Sequence, residues 1–348
     1  MENTKEWTEK LSRAIGFSPI NLQQLCEDGS TRKYSRFNTP EGPSRLLMQV
    51  QGRESSALQE GVYEWLVILQ TLQKYKIYTP TVYQLIPSIS SLVIEDCGDE
   101  LLETRIRGVL DNKNSDKKNI LSIYRPAFQM IGRFLSIKKI PSELWCTRSF
   151  DEAKLQYELN FFAQHALSCW GKSFLSKEEK DCFFEETKKL CSHISQVPKY
   201  FVHRDFHSRN LIFNNHHLYV IDFQDARLGP AAYDLVSLCF DPYVDLTSTD
   251  RFHFFSEALQ MLSETNGKNV KDEILSSWQA VFLQRQLKAI GSFFYLSKIK
   301  NRDYTPAIQP ALGLLRDLIT PHPDWPFLSS VFIQKLDQGY KDGLTPTH

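Results

Sequence analysis

The sequence predicts an α+β protein of two lobes, a small five-stranded sheet lobe over residues 1–98 and a larger helical lobe over residues 99–348. Two observations carry that expectation. Five short runs of strand character, with one long helix among them, precede Gly98, whereas the text after it is almost wholly helical in period. Set into the helical part is a strand-type hairpin around residues 200–223, dense in side chains with chemical uses. A chain of 348 residues is long enough to bury two such cores.

Taken in order, residues 6–15 form a short amphipathic helix, and strands follow at 22–26, 32–37 and 45–50. The turn Glu27-Asp28-Gly29-Ser30-Thr31 offers small residues whose N–H groups can approach an anion, with Arg32, Lys33 and Arg36 supplying charge. An ordinary hairpin turn is the alternative reading. Residues 55–74 read as one helix because Leu58, Val62, Trp65, Leu66 and Leu69 share a face. Glu60 and Glu64 on it either face solvent or approach a cation near phosphates. Strands at 81–86 and 92–95 then stop at Glu95-Asp96-Cys97-Gly98, which suits a hinge whose backbone pairs with an adenine edge. Helices are expected at 101–107, 120–137, 151–167 and 177–195, and after the hairpin at 231–240, 250–263, 271–300 and 306–318. A ligand cleft between the lobes is the expectation for such an arrangement.

Composition excludes several classes. Forty-one basic and 41 acidic residues balance to zero, with no basic face or acidic tail, so nucleic acid is not an expected partner. No apolar run approaches the ~18 residues of a membrane span, and the polar stretch from Met1 to Lys10 does not resemble a secretion signal. Seven cysteines, without a Cys-x-x-Cys pair, suit unpaired thiols in a reducing cytoplasm rather than a structural zinc.

The chemistry concentrates in His203-Arg204-Asp205-Phe206-His207-Ser208-Arg209-Asn210 and in Ile221-Asp222-Phe223. Asp205, in a loop after a strand, can face a substrate hydroxyl. Asn210 and Asp222, expected on neighbouring strands of the hairpin, can turn their oxygens toward one Mg²⁺, which takes few protein oxygens and completes its shell with phosphate and water. His-Arg-Asp, four residues, Asn, then a strand ending Asp-Phe is the catalytic and metal loop of kinase-type phosphoryl transfer. His203 and His207 stand four apart, but strand-like flanks and the lack of Glu after His203 speak against a zinc pair. His203 reads instead as a buried ring bracing the loop.

On these residues, together with Gln224-Asp225-Ala226 and Gly229-Pro230-Ala231-Ala232-Tyr233-Asp234-Leu235-Val236-Ser237-Leu238, the chain resembles the aminoglycoside phosphotransferase family over residues 28–313. That family has a two-lobed protein-kinase-like fold. Within it the Asp-Phe-Gln-Asp-Ala form is most similar to the bacterial anomeric kinases of N-acetylmuramate and N-acetylglucosamine of cell-wall recycling. Tyr157-Glu158-Leu159-Asn160-Phe161-Phe162 and Gln284-Arg285-Gln286-Leu287-Lys288-Ala289-Ile290-Gly291 echo the same subgroup.

The resemblance implies ATP and Mg²⁺ as cofactors and a small-molecule alcohol as acceptor. It implies Asp205 as the base, Asn210 and Asp222 as metal ligands, Gly29, Ser30, Thr31 and Arg32 as the phosphate cover, and the Glu95 to Cys97 backbone as the adenine contact. Glu158 and Arg285 become candidates for sugar contacts, and Lys288 reads as solvated or paired. Asp225 is expected just behind the metal, and Asp234 as a cap or a brace for the catalytic loop.

Two departures bear on this reading. The third strand, Leu46-Leu47-Met48-Gln49-Val50, has no Lys, so another cation, Arg32 or Arg36, must help hold the phosphates. The sugar-kinase subgroup lacks that Lys too. Gln224 stands where protein kinases place Gly, and no Ala-Pro-Glu follows, which counts against a protein substrate. Kinases of aminoglycosides, choline or homoserine, or a nucleotide-binding protein without catalysis, are the competing expectations.

Overall fold

The structure, a computed structural model, describes residues 4–25, 32–40, 42–112, 118–170 and 174–342. It divides into two compact units, Met1–Glu100 with Ile212–Gln224, and Leu101–Leu211 with Asp225–His348. The hairpin, expected with the helical part, belongs to the first unit.

The first unit holds an antiparallel five-stranded sheet in the order β1-β2-β3-β5-β4. Its strands are β1 (Ile20–Gln24), β2 (Lys33–Asn38), β3 (Ser44–Gln49), β4 (Val82–Ile86) and β5 (Ser91–Glu95). Side chains alternate across a strand, so Leu47 and Val93 share one face and Met48, Leu92 and Ile94 the other. Helix α1 (Thr4–Ile15) covers the first face, where Leu11 joins Phe37, Leu47, Ile86 and Val93 in one core. The helix expected over residues 55–74 is two helices, α2 (Gly52–Gln59) and α3 (Glu64–Lys74). Gly61, at φ +76°, breaks the run between them, and Val62, expected on the buried face, is 59% exposed. Beyond the break α3 keeps its buried stripe of Trp65, Ile68, Leu69 and Leu72.

The hairpin consists of β7 (Leu211–Asn214) and β8 (His217–Val220). Asn215 and His216 both take positive φ at its turn, the backbone that matches strand twist in a two-residue loop. Three contacts tie it to the sheet unit. The Phe213 N–H donates to the Glu100 carbonyl at 2.8 Å, and that of Val220 to Tyr78 at 2.9 Å. The Tyr219 hydroxyl donates to Glu95 Oε1 at 3.1 Å. These bonds, rather than chain order, decide which unit owns the hairpin.

The second unit is mainly helical, with α4 (Leu102–Asp111), α5 (Lys118–Leu135), α6 (Glu152–His165), α7 (Lys177–Gln196), α8 (Ala232–Cys239), α9 (Ser248–Asn266), α10 (Lys268–Ile299), α11 (Thr305–Leu318) and α12 (Ile333–Lys341). Strands β6 (Lys199–Val202) and β9 (Arg227–Pro230) pair antiparallel, Val202 opposite Arg227. Helix α10 is buried on several sides, from Val270 to Ser297. Gly291 lets α10 lie against α6: a Cβ there would stand 2.7 Å from Phe162 Cα. The absence of a side chain at this crossing sets how near the helices come. No disulfide joins the described cysteines. Among the described residues no helix is long and apolar enough to cross a membrane.

Candidate active site

In the second unit, the loop after β6 carries Asp205. Arg204 before it has φ +82°, a backbone that costs a non-glycine residue about 1–3 kcal/mol and persists only where its surroundings enforce it. The surroundings here are three carboxylates. Asp234 Oδ1 accepts the Arg204 N–H at 3.1 Å, Glu158 Oε1 accepts Arg204 Nη2 at 3.3 Å, and Asp225 Oδ2 lies 2.8 Å from Nη1. From the other side Phe206, fully buried, packs edge-on to Phe134 at 5.3 Å and beside His203 at 5.7 Å. His203 is likewise fully buried. Asp205 thus stands in a loop pinned by apolar rings and carboxylate clamps.

Asp205 is contacted from α10 and from its own loop. Lys288 Nζ, from α10, donates to Oδ1 at 2.7 Å. The Asn210 amide N–H donates to the Asp205 backbone carbonyl at 2.9 Å. Asn210 was expected on a strand; it closes a single 3₁₀ turn (Ser208–Asn210) just before β7. That turn is held by Asp241, which accepts both the N–H and the hydroxyl of Ser208. It is also held by Arg209, whose Nε donates to the buried Glu103 at 2.6 Å.

In the first unit, Asp222 lies two residues beyond β8 rather than within it, at φ +61°. The Gln224 amide donates to its Oδ1 at 2.7 Å, and the next residue, Phe223, is buried against Trp65 of α3 at 5.1 Å. Arg32, 5% exposed, makes a paired contact to Glu54 of α2: Nε to Oε2 at 3.1 Å and Nη2 to Oε1 at 2.5 Å. The buried Tyr34 hydroxyl senses the charges of both Arg32 and Asp222. Burial raises the pKa of that hydroxyl, Arg32 pulls it back, and the Asp222 charge adds to the rise. Arg36 instead binds Asp96 and Asp99 at 2.7–2.9 Å.

Residues 143–264, which contain the Asp205 loop, the hairpin and α8, match the model of the phosphotransferase enzyme family. Over that stretch the chain is similar to the family. It is 22% identical over 348 residues to the N-acetylmuramate/N-acetylglucosamine kinase of Neisseria meningitidis serogroup B, covering 98% of each chain. To the protein of that name from Pseudomonas putida it is 26% identical, over 82% of this chain and 78% of the other. Its fold is similar to that of an ADP-bound aminoglycoside phosphotransferase (TM-score 0.54, 16% identity, 93% of this chain and 98% of the other). It is also similar in fold to a choline kinase of Streptococcus pneumoniae (TM-score 0.56, 13% identity, 89% and 97%).

Charge is arranged around Asp205. Burial opposes ionisation of Asp205, yet Lys288 and Arg204 outweigh it and hold the carboxyl well below the usual range. Such a group is a strong hydrogen-bond acceptor for a hydroxyl at any physiological pH. Glu158 follows the same pattern: burial opposes its charge, and Lys288, Arg204 and Lys154 hold its pKa down. In Arg32 burial works against the charge, and the Glu54 carboxylate more than offsets it.

Several expected residues are accounted for by these contacts. Asp234 accepts the N–H groups of both His203 and Arg204. Asp225 lies on Arg204 and, at 3.7 Å, on Arg227. Glu158 and Arg285 are 3% and 5% exposed. Gln284 donates to Glu158 at 3.0 Å, and Arg285 Nε donates to the Ser237 hydroxyl, so both side chains are engaged with protein groups. The Glu95 N–H donates to the Thr81 carbonyl at 2.8 Å, its carboxylate receives Thr81 and Tyr219, and Cys97 is buried. Gly29, Ser30 and Thr31 lie outside the described residues. Sequence reasoning missed Glu54 as the partner of Arg32 and Lys288 as the partner of Asp205. For Lys288 a signal existed: it stands one helical turn from Gln284, on the same face of α10. For Glu54, 22 residues from Arg32, none did.

Proposed function

We propose that the chain is an ATP-dependent small-molecule kinase that phosphorylates the anomeric hydroxyl of an N-acetylated amino sugar. The observation that carries the reading is Asp205, an ionised carboxylate on a loop pinned by Asp234, Glu158 and Asp225 and followed by Asn210. Phosphoryl transfer asks for positioning and charge neutralisation more than covalent work by the protein, and a rigidly held acceptor for a hydroxyl is what such a reaction uses. An anomeric hydroxyl is more acidic than an ordinary alcohol, so a carboxylate suffices for it. The two relatives with sugar-kinase names support the choice of sugar.

The N-terminal unit is assigned the nucleotide and the C-terminal unit the acceptor. Gly29, Ser30, Thr31 and Arg32 cover the phosphates, with Glu54 aiming the Arg32 guanidinium in place of the missing strand lysine. The backbone from Glu95 to Cys97 receives adenine. Asn210 and Asp222 would hold Mg²⁺, whose charge offsets that of the phosphates when bound. Each is a hard oxygen donor by type: the Asn210 amide N–H is occupied by the Asp205 carbonyl, which leaves its oxygen for a cation, and Asp222 carries a carboxylate. His203 braces the loop from beneath. Glu158 and Arg285, being buried, act on the acceptor through Arg204 and Ser237. The free thiols suit a reducing cytoplasm.

Incubation with MgATP and a panel of N-acetylated sugars, aminoglycosides, choline and homoserine, followed by ³¹P NMR, tests the assignment. An acid-labile phosphate ester formed on N-acetylmuramate or N-acetylglucosamine is the expected product. Turnover confined to choline or an aminoglycoside would overturn the sugar, and MgATP binding without turnover on the panel would favour a non-catalytic protein.

A further inference from the structure

Lys288 has no part in the assignments above, yet it is the closest cation to the base. Its ammonium lies 2.7 Å from Asp205 Oδ1, while Arg204 Nη1 is 3.8 Å from the other oxygen. Arg204 is already engaged by Glu158 and Asp225. Lys288 is 17% exposed, and among the described residues Asp205 is the one group its side chain bonds. An ammonium has three N–H donors on a flexible stem, so bonding Asp205 uses one and leaves two.

The helix that carries Lys288 is fixed on every side nearby. One turn earlier Gln284 donates to Glu158 at 3.0 Å, Arg285 to Ser237, and Gln286 to the Phe240 carbonyl at 2.7 Å. Three residues later Gly291 sits against the α6 backbone. A cation on a rigid helix is placed more accurately than one on a loop. The reaction also creates a need for it: a carboxylate that receives the acceptor hydroxyl must stand close to an incoming phosphoryl group of the same sign of charge. β3 has no lysine to share in that neutralisation.

We propose that Lys288 is a catalytic residue of phosphoryl transfer, one N–H holding Asp205 and another receiving an oxygen of the phosphoryl group as it moves. The proposal rests on the kinase reading above. The acceptor oxygen forms a bond to the γ-phosphorus while the bond from that phosphorus to the β,γ-bridging oxygen breaks. The bridging oxygen keeps the electron pair and leaves as a terminal oxygen of ADP. The hydroxyl proton passes to Asp205 and from there to water. Lys288 neither gains nor loses a proton; it supplies charge where charge moves.

Lys288→Met and Lys288→Arg, compared with the wild type, test this through kcat, both KM values, and calorimetric binding of MgADP with and without aluminium fluoride, a mimic of the phosphoryl in transit. For Lys288→Met, kcat is expected to fall by about 10²–10³-fold, the scale for removing one donor to developing charge. Both KM values and MgADP affinity stay near wild type, and the extra affinity conferred by aluminium fluoride disappears. Lys288→Arg, which keeps the charge, recovers part of both losses, and it remains a test should the Met variant fold poorly. Wild-type kcat in Lys288→Met would overturn the proposal. So would a fall in kcat with the aluminium fluoride effect intact, because Lys288 would then act only by bracing Asp205. A wild type that neither turns over the panel nor binds MgADP would remove the kinase reading itself, an outcome distinct from either.

Discussion

The carboxylate of Asp234, 2% exposed, accepts the backbone N–H of His203 at 2.7 Å across 31 residues of sequence. Its other oxygen takes the N–H of Arg204, so one side chain at the start of α8 ties down the two peptide groups that precede Asp205. Removing that carboxylate frees a loop whose backbone is already strained at Arg204.

Burial pushes the Asp234 carboxyl up to about 7 from 3.8, against the pull of the two N–H groups. A pKa raised on folding contributes stability that is fully present below 3.8 and is lost as pH rises through about 7. Asp234→Asn cannot titrate. The stability of the wild type relative to Asp234→Asn, measured by urea unfolding, is therefore expected to decline from about pH 4 to about pH 8. A difference that stays level across that range would refute the shift.

Asp205→Asn keeps the shape of the side chain but not its charge. Fold and nucleotide binding are expected to survive, and the rate to fall roughly 10²–10⁴-fold, the range for a positioned general base. Nearly intact turnover would show that the hydroxyl is received elsewhere.

Asp222→Ala removes a hard oxygen donor while leaving the aromatic anchor of Phe223 on Trp65 in place. The expected outcome is loss of Mg²⁺-dependent nucleotide binding in calorimetry with little change in melting temperature. Unchanged magnesium dependence would exclude Asp222 as a ligand.

Glu54→Gln leaves the buried Arg32 guanidinium without its paired carboxylate. Breaking a buried ion pair from one side costs about 3–5 kcal/mol, less here because Glu54 is 28% exposed. Destabilisation in chemical unfolding and a raised KM for ATP are expected together. A variant that is destabilised but binds ATP normally would limit the pair to a structural role.

Gly291→Ala would put a methyl group 2.7 Å from Phe162 Cα, a backbone atom that cannot rotate away. Forcing apart α10 and α6 is expected to cost about 1–3 kcal/mol in thermal or urea unfolding. An alanine variant as stable as the wild type would mean that the helices separate freely.

The sequence by itself determined the five strands, most of the helices and the identity of the chemical groups. Local periodicity reports which face of an element is apolar, and Asp205, Asn210 and Asp222 are close enough in the chain for spacing alone to disclose a motif. It misread the helix over residues 55–74, because Gly61 at positive φ is a backbone event that an apolar stripe passes over. Tertiary structure alone decided that the hairpin belongs to the sheet unit, that Arg32 is steered by Glu54, and that Lys288 lies on Asp205. Those are pairings of charge and backbone polarity between distant segments. Their energies depend on separation in space and on burial, and residue order records neither.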